Sequence, residues 1–113
     1  MTVIDDDLSR TFAALADPTR RAIVGRLAEG EATVNQLTGP SGLTQQAISK
    51  HVKVLEGAGL VSRTRAGQAR PCRLELDHLV AAAEWIVRQR QLWSDRYDRL
   101  DAHIATLEGG EPR

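Results

Sequence analysis

The sequence predicts a mainly α-helical fold carrying one small β-hairpin. Three observations carry that expectation. Apolar residues recur three and four apart through most of the chain, the mark of amphipathic helices. The period shortens to two only between Leu60 and Leu76, where two short alternating runs flank a tip containing Gly67. Helix breakers gather at Asp17-Pro18, Gly30, Gly39-Pro40-Ser41-Gly42 and Gly57-Ala58-Gly59, and cut the chain into segments of helix length. A length of 113 residues is read as one domain, residues 1–113, whose modest core leaves room for further burial by dimerisation.

Taken in order, Leu8, Phe12 and Leu15 fall at i, i+4, i+7 and predict a short first helix over about 8–15. Asp17 is a good N-cap and Pro18 suits the first helical position, so a second helix follows with Ile23, Val24 and Leu27 inward, ending near Gly30. Thr33 is placed to cap a third short helix, Ala32 to Thr38, that buries Val34 and Leu37. After the Gly39–Gly42 turn, Thr44 caps a fourth, with Ile48, Val52 and Leu55 as its buried stripe. At 100° per residue, Gln46, Ser49, Lys50 and Lys53 lie on the other side. Either Gly57 or Gly59 can take the left-handed cap that ends this helix. Leu60 to Arg65 and Cys72 to Leu76 then read as two strands, with Cys72, Leu74 and Leu76 on one face. Asp77 is read as the cap of a long last helix. Along it Leu79, Ala83, Ile86, Arg90, Trp93, Tyr97, Leu100, Ile104 and Leu107 alternate four and three apart, an a/d seam interrupted only by Arg90.

Bulk composition narrows the class. Apolar residues make up 42% and charged residues 27%, which is ordinary for a water-soluble globular chain and argues against disorder. No apolar run is long enough to span a membrane, so no membrane role is expected. The acidic start from Met1 to Asp7 does not read as a secretory leader. A single cysteine, Cys72, excludes an intramolecular disulfide and fits a reducing compartment, so the expected location is the cytoplasm.

Net charge is zero, yet its distribution is uneven. Thr44 to Arg73 holds six basic residues against one acid, Glu56, a local +5 balanced by −5 elsewhere. A concentrated basic segment in an otherwise acidic chain is an electrostatic footprint for nucleic acid. Helix, polar turn, helix and basic hairpin together describe a winged helix-turn-helix: five helices, a two-stranded wing and a long C-terminal dimerisation helix. The expected reading part is about residues 32–76, with pairing helices at about 8–15 and 77–107.

In that arrangement the fourth helix enters the major groove of double-stranded DNA. Gln46 offers a donor and an acceptor together, suited to an adenine edge, and Ser49 is a short adaptable partner. Lys50 and Lys53 bring charge to phosphates or guanine acceptors, and Gln45 at the helix start is placed for phosphate. Arg63, Arg65 and Arg70 on the wing, with Gln68 at its tip, complete the expected DNA-binding set, the arginines against backbone or minor groove. Leu8, Phe12, Ile86, Trp93, Tyr97, Leu100 and Ile104 are the expected homodimer contacts. Arg20 and Arg21 are expected at the surface, one of them within reach of phosphate. No acid/base pair, nucleophile triad or phosphate loop is present, so no enzyme is expected and no cofactor is implied.

The stretch Ala14-Leu-Ala-Asp-Pro-Thr-Arg-Arg-Ala-Ile-Val24 resembles the opening motif of the ArsR/SmtB winged-helix repressors. Gln45-Gln-Ala-Ile-Ser-Lys-His-Val-Lys-Val-Leu55, followed by Ala58-Gly-Leu-Val61, is similar to their recognition helix and its exit. Trp93…Tyr97-Asp-Arg-Leu100 resembles the last helix of a metal-independent branch often found as autorepressors. The resemblance spans about Leu8 to Leu107. It implies a dimer that binds a partly palindromic operator near its own promoter, and a His51 that packs beside the helix-turn-helix core. The family's metal sensors need more than is present here. A thiolate site requires at least two cysteines, and the third helix has none. The other family site begins with an Asp-x-His pair on the last helix; Asp101-Ala-His103 matches that half, and no second histidine follows. A metal inducer is therefore not expected, and no small-molecule inducer is identified.

Other readings remain open at this level. Cys72 is expected to be inert packing, with redox chemistry as the alternative if the thiol is exposed beside Arg70 or Arg73. Trp85 and Trp93 suit a dimer seam better than a ligand pocket. A protein-docking adaptor on the same scaffold is the alternative function. It has no need of arginines on both arms of the wing.

Overall fold

The computed structural model describes residues 6–64 and 70–108. The elements run α1 (Asp7–Leu15), α2 (Pro18–Leu27), α3 (Val34–Thr38), a 3-10 turn (Gly39–Ser41), α4 (Gln45–Gly57), β1 (Val61–Arg63), β2 (Cys72–Leu74) and α5 (Asp77–Glu108). Two units are distinguished, residues 1–82 and 83–113. The first holds the hydrophobic core; the described part of the second is a single length of α5.

Side-chain oxygens begin the first four helices by accepting backbone N–H groups that no helix can satisfy internally. Asp6 accepts from Ser9, Asp17 from Arg20, Thr33 from Gln36 and Thr44 from Ala47. At α3 the arrangement is reciprocal, since Gln36 Oε1 also accepts from the Thr33 N–H at 2.9 Å. A five-residue helix has little propensity energy of its own, so this capping box matters more here than on a longer helix.

The core gathers Ala14, Ile23, Leu27, Ala32, Leu37, Ile48, Val52, Leu55, Leu60, Val61 and Cys72 around α4. The Ile48/Val52/Leu55 stripe is fully buried, as the spacing predicts. The first helix differs from expectation. It buries Thr11 and Ala14, while Phe12 stays about a third exposed and Leu8 half-buried. Thr11 tolerates burial because its hydroxyl donates to the Asp7 carbonyl at 2.8 Å.

The hairpin is antiparallel, with Val61 opposite Leu74, Ser62 opposite Arg73 and Arg63 opposite Cys72. It is shorter than the sequence suggests. Leu76 does not share the buried face with Cys72; it is 57% exposed. The reason is that its carbonyl already accepts the Val80 N–H, so Leu76 occupies the cap position of α5 and Asp77 is the first helical residue rather than the cap. A contact the sequence does not announce ties the wing to α3. Ala32 and Cys72 exchange two backbone hydrogen bonds, 3.1 and 2.7 Å long, immediately before the α3 cap.

Of the two glycines that could end α4, Gly59 takes the left-handed conformation, at φ +78°, and Gly57 remains helical. A Cβ at Gly59 would lie 2.6 Å from His78 Cδ2 as well. Gly59→Ala is expected to cost about 1–3 kcal/mol, combining left-handed strain with displacement of the imidazole. Urea unfolding checks this, with Gly57→Ala as the control expected to be neutral or stabilising.

Candidate nucleic-acid interface

α4 is held between α2, α3 and the hairpin by its apolar stripe, and this fixes which side faces out. Gln45, Gln46, Lys50 and Lys53 are exposed, and Ser49 is half-buried at the edge of the same face. The α3–turn–α4 unit is braced from behind by Arg20. Its Nε donates to the Ala14 carbonyl at 2.7 Å, and a terminal nitrogen lies 3.3 Å from His51 Nδ1. An arginine can only donate, so in this contact Nδ1 is the acceptor. His51 therefore braces the helix-turn-helix, as its place in the resembled motif implies. Of the two arginines expected at the surface, Arg21 is exposed and Arg20 is half-buried; both are engaged, since Arg21 donates to the Leu15 carbonyl at 2.7 Å. Carbonyls at the end of α1 are unsatisfied within the helix and attract both guanidinium groups. Asp17, beside this brace, has its carboxyl held below the ordinary value, chiefly by the N–H of Arg20 that it caps.

Between α3, the first turns of α4 and the wing lies an open groove of about 330 Å³, lined by Thr33, Val34, Asn35, Gln45, Ser49, Arg63 and Arg70. Gln45 and Ser49 are one helical turn apart on the side of α4 that faces it. Gln45 Nε2 donates to Asn35 Oδ1 at 2.7 Å, joining α3 to α4 across the groove floor.

The structure separates the wing arginines. Arg70 is exposed. Arg63 is mostly buried, and its Nε sits 3.5 Å from Glu56 Oε1 on α4. Opposite buried Cys72 in the hairpin, Arg63 lies beside the lone acid of the basic segment. It reaches the groove with only part of its charge available. Arg65 and Gln68 lie outside the described residues. Sequence reasoning missed the roles of Asn35 and Glu56, and gave Arg20 a place at the surface rather than in the brace. Only Glu56 had a visible signal, as the single acid between Thr44 and Arg73.

Cys72 is fully buried, and burial pushes its thiol above the ordinary value, with Arg63 opposing only in part. A thiol that resists ionisation is a poor nucleophile and metal ligand. The packing reading of Cys72 is the one the surroundings support.

On the second unit, α5 carries its apolar residues outward. Ile86, Trp93, Tyr97, Leu100, Ile104 and Leu107 are each at least 39% exposed, and Trp85, Val87 and Leu92 are exposed as well. Trp93 and Tyr97 rings lie 5.7 Å apart at 32°, and the Arg96 guanidinium stands 5.3 Å over the Trp93 ring. Within the described residues no helix is long and apolar enough to cross a membrane. Nor do three or more His, Cys, Asp or Glu side chains come together there to hold a metal ion.

A capped recognition helix on a three-helix brace, next to a two-stranded wing, defines a winged helix-turn-helix DNA-binding protein. A helix-turn-helix domain family matches residues 15–64. The chain is 44% identical to the HTH-type transcriptional regulator Rv2034 of Mycobacterium tuberculosis over 64% of this chain and 67% of that one. Among solved structures it resembles the ArsR family transcriptional regulator RHA00566, with a TM-score of 0.73 and 38% identity over 79% of this chain and 98% of that one. It also resembles the homodimeric winged helix-turn-helix DNA-binding domain Mb0332 of Mycobacterium bovis (TM-score 0.58, 28% identity, 87% and 84% covered). A further likeness is to the cadmium metal-sensor CMTR of Mycobacterium tuberculosis (TM-score 0.53, 40% identity, 59% and 69% covered). The chain belongs to the ArsR/SmtB family of winged helix-turn-helix transcriptional regulators. It is a DNA-binding regulator of transcription; family and fold are not those of enzymes, and a docking adaptor is not favoured.

Proposed function

We propose that the chain is a cytoplasmic, homodimeric repressor that reads a partly palindromic operator, including one at its own promoter. The observation that carries this reading is the exposed face of α4, with Gln46, Lys50 and Lys53, set beside a groove that ends in Arg70. Two such faces related by a two-fold axis match two half-sites on a duplex. In this proposal residues 32–76 read DNA, and the α5 seam with Leu8 and Phe12 pairs the copies. Gln46 and Ser49 discriminate bases; Gln45, Lys50, Lys53 and Arg70 supply backbone attraction, with Arg65 and Gln68 joining from the hairpin tip by sequence position alone. Arg63 acts mainly by anchoring the wing to α4.

The test is selection of a duplex from a random-sequence pool by the purified protein, followed by binding to the selected and a scrambled duplex across a salt series. A specific repressor selects one motif with two-fold symmetry and binds it orders of magnitude more tightly than the scrambled duplex. Arg70→Ala is expected to weaken both complexes alike and to lower the slope of log K against log salt by about one. Selection of no motif would sink the reading.

We further propose that metals do not regulate this chain, in contrast to the cadmium sensor it resembles. Support comes from the donor set: one cysteine in the whole chain, buried, and a histidine at 103 without a second one after it. Stoichiometric zinc, cadmium or arsenite is expected to leave the affinity for the selected duplex unchanged. Release by zinc that His103→Ala abolishes is the opposite result.

A further inference from the structure

We propose that Asn35 is a positioning residue for base readout: it holds the Gln45 amide so that Gln45, alongside Ser49, presents a fixed edge to the DNA. The inference rests on the proposed reading of α4 and moves Gln45 from backbone contact to base contact. Three observations carry it. Gln45 Nε2 donates to Asn35 Oδ1 at 2.7 Å across ten residues of sequence. Both side chains are exposed, and both line the groove shared with Ser49 and Arg70. The α3 N-terminus has no use for Asn35, because Thr33 and Gln36 already satisfy each other there.

A primary amide carries two N–H donors and one carbonyl acceptor. With one donor spent on Asn35, Gln45 keeps one N–H and the carbonyl oxygen, held in one plane. A donor and an acceptor side by side are what an adenine edge requires in the major groove. A free glutamine would have to be immobilised on binding; here much of that ordering is complete before DNA arrives. Asn35 itself spends only its carbonyl on the pair. Any residue of similar reach that accepts can therefore make the same contact with Gln45.

The experiment selects duplexes from a random-sequence pool with wild type, Asn35→Ala, Asn35→Asp, Gln45→Ala and the Asn35→Ala/Gln45→Ala double variant, then measures affinity for the wild-type duplex. Asn35→Ala is expected to lower that affinity roughly three- to tenfold and to relax preference at the same position in each half-site as Gln45→Ala. In the double variant Asn35→Ala adds nothing further. Asn35→Asp still accepts from Gln45 and so keeps the wild-type preference, while its negative charge weakens binding to every sequence alike. Unchanged thermal midpoints show that α3 is intact. Additive effects, an unchanged preference in Asn35→Ala, or a preference lost equally in Asn35→Asp would each overturn the inference. A wild-type protein that selects no motif defeats the functional reading instead, so the two failures are distinct.

Discussion

Replacing Trp93 by alanine is expected to turn a dimer into a predominantly monomeric protein at micromolar concentration and to abolish tight operator binding. The a/d spacing from Ile86 to Leu107 sets six apolar side chains along one side of α5, each at least 39% exposed. That much apolar surface facing outward on a single helix calls for a partner. In the proposed dimer a second copy would meet the same stripe by symmetry, as an isologous two-fold contact. Trp93 is the largest of these side chains and lies midway along the stripe, its ring tilted against Tyr97 and beneath Arg96. Aromatic truncation at the centre of an interface costs about 2–4 kcal/mol, a factor of roughly thirty to several hundred in the dimer dissociation constant. DNA affinity falls further, because a monomer holds one half-site without the gain of the second. Sedimentation equilibrium measures the first effect and duplex titration the second. Gln91→Ala, on the same helix but off the seam, should change neither. A wild-type protein that sediments as a monomer at micromolar concentration removes the basis of this prediction.

The second large effect is expected from the recognition helix. Gln46 is exposed and uncharged and points away from the Ile48/Val52/Leu55 stripe, and its contribution is expected to depend on the base it meets. Gln46→Ala should cost about 1–3 kcal/mol in each half-site on the selected duplex and nothing on a scrambled one, with preference relaxed at one position. Ser49 is half-buried at the groove edge, and its removal should relax a neighbouring position. The contrast with Arg70→Ala makes the test sharp. A base reader changes the ratio between selected and scrambled duplexes, whereas a phosphate contact changes both affinities and the salt slope. If both α4 variants keep the wild-type preference while Arg70→Ala destroys it, the wing reads the sequence, and α4 only positions it.

The physical distinction between local and distant determinants explains what was legible. The caps at Asp17, Thr33 and Thr44 depend on side chains within three residues of the N–H groups they satisfy, and the sequence shows them directly. The stripe of α4 depends only on helical periodicity, and with it the outward face bearing Gln46, Lys50 and Lys53. The same local reasoning fails for α1. Leu8, Phe12 and Leu15 form an apolar set, yet the core takes Thr11 and Ala14, and Thr11 is tolerated there because its hydroxyl donates to the Asp7 carbonyl.

By itself, then, the sequence determined the helices, the caps of α2, α3 and α4, the hairpin and the polar face of α4, since each follows from contacts between residues a few positions apart. Only the tertiary structure decided the fates of individual side chains that look equivalent on paper. Arg63 and Arg70 are both wing arginines, but Arg63 meets Glu56 at 3.5 Å and Arg70 stays exposed. Arg20 looks like a surface cation and instead spans the α1 carbonyls and His51, 31 residues away. Asn35 looks like a solvated helix residue and instead holds Gln45. These outcomes turn on which charge or amide lies within about 3 Å once distant segments are packed together, and no local pattern in the chain encodes that distance.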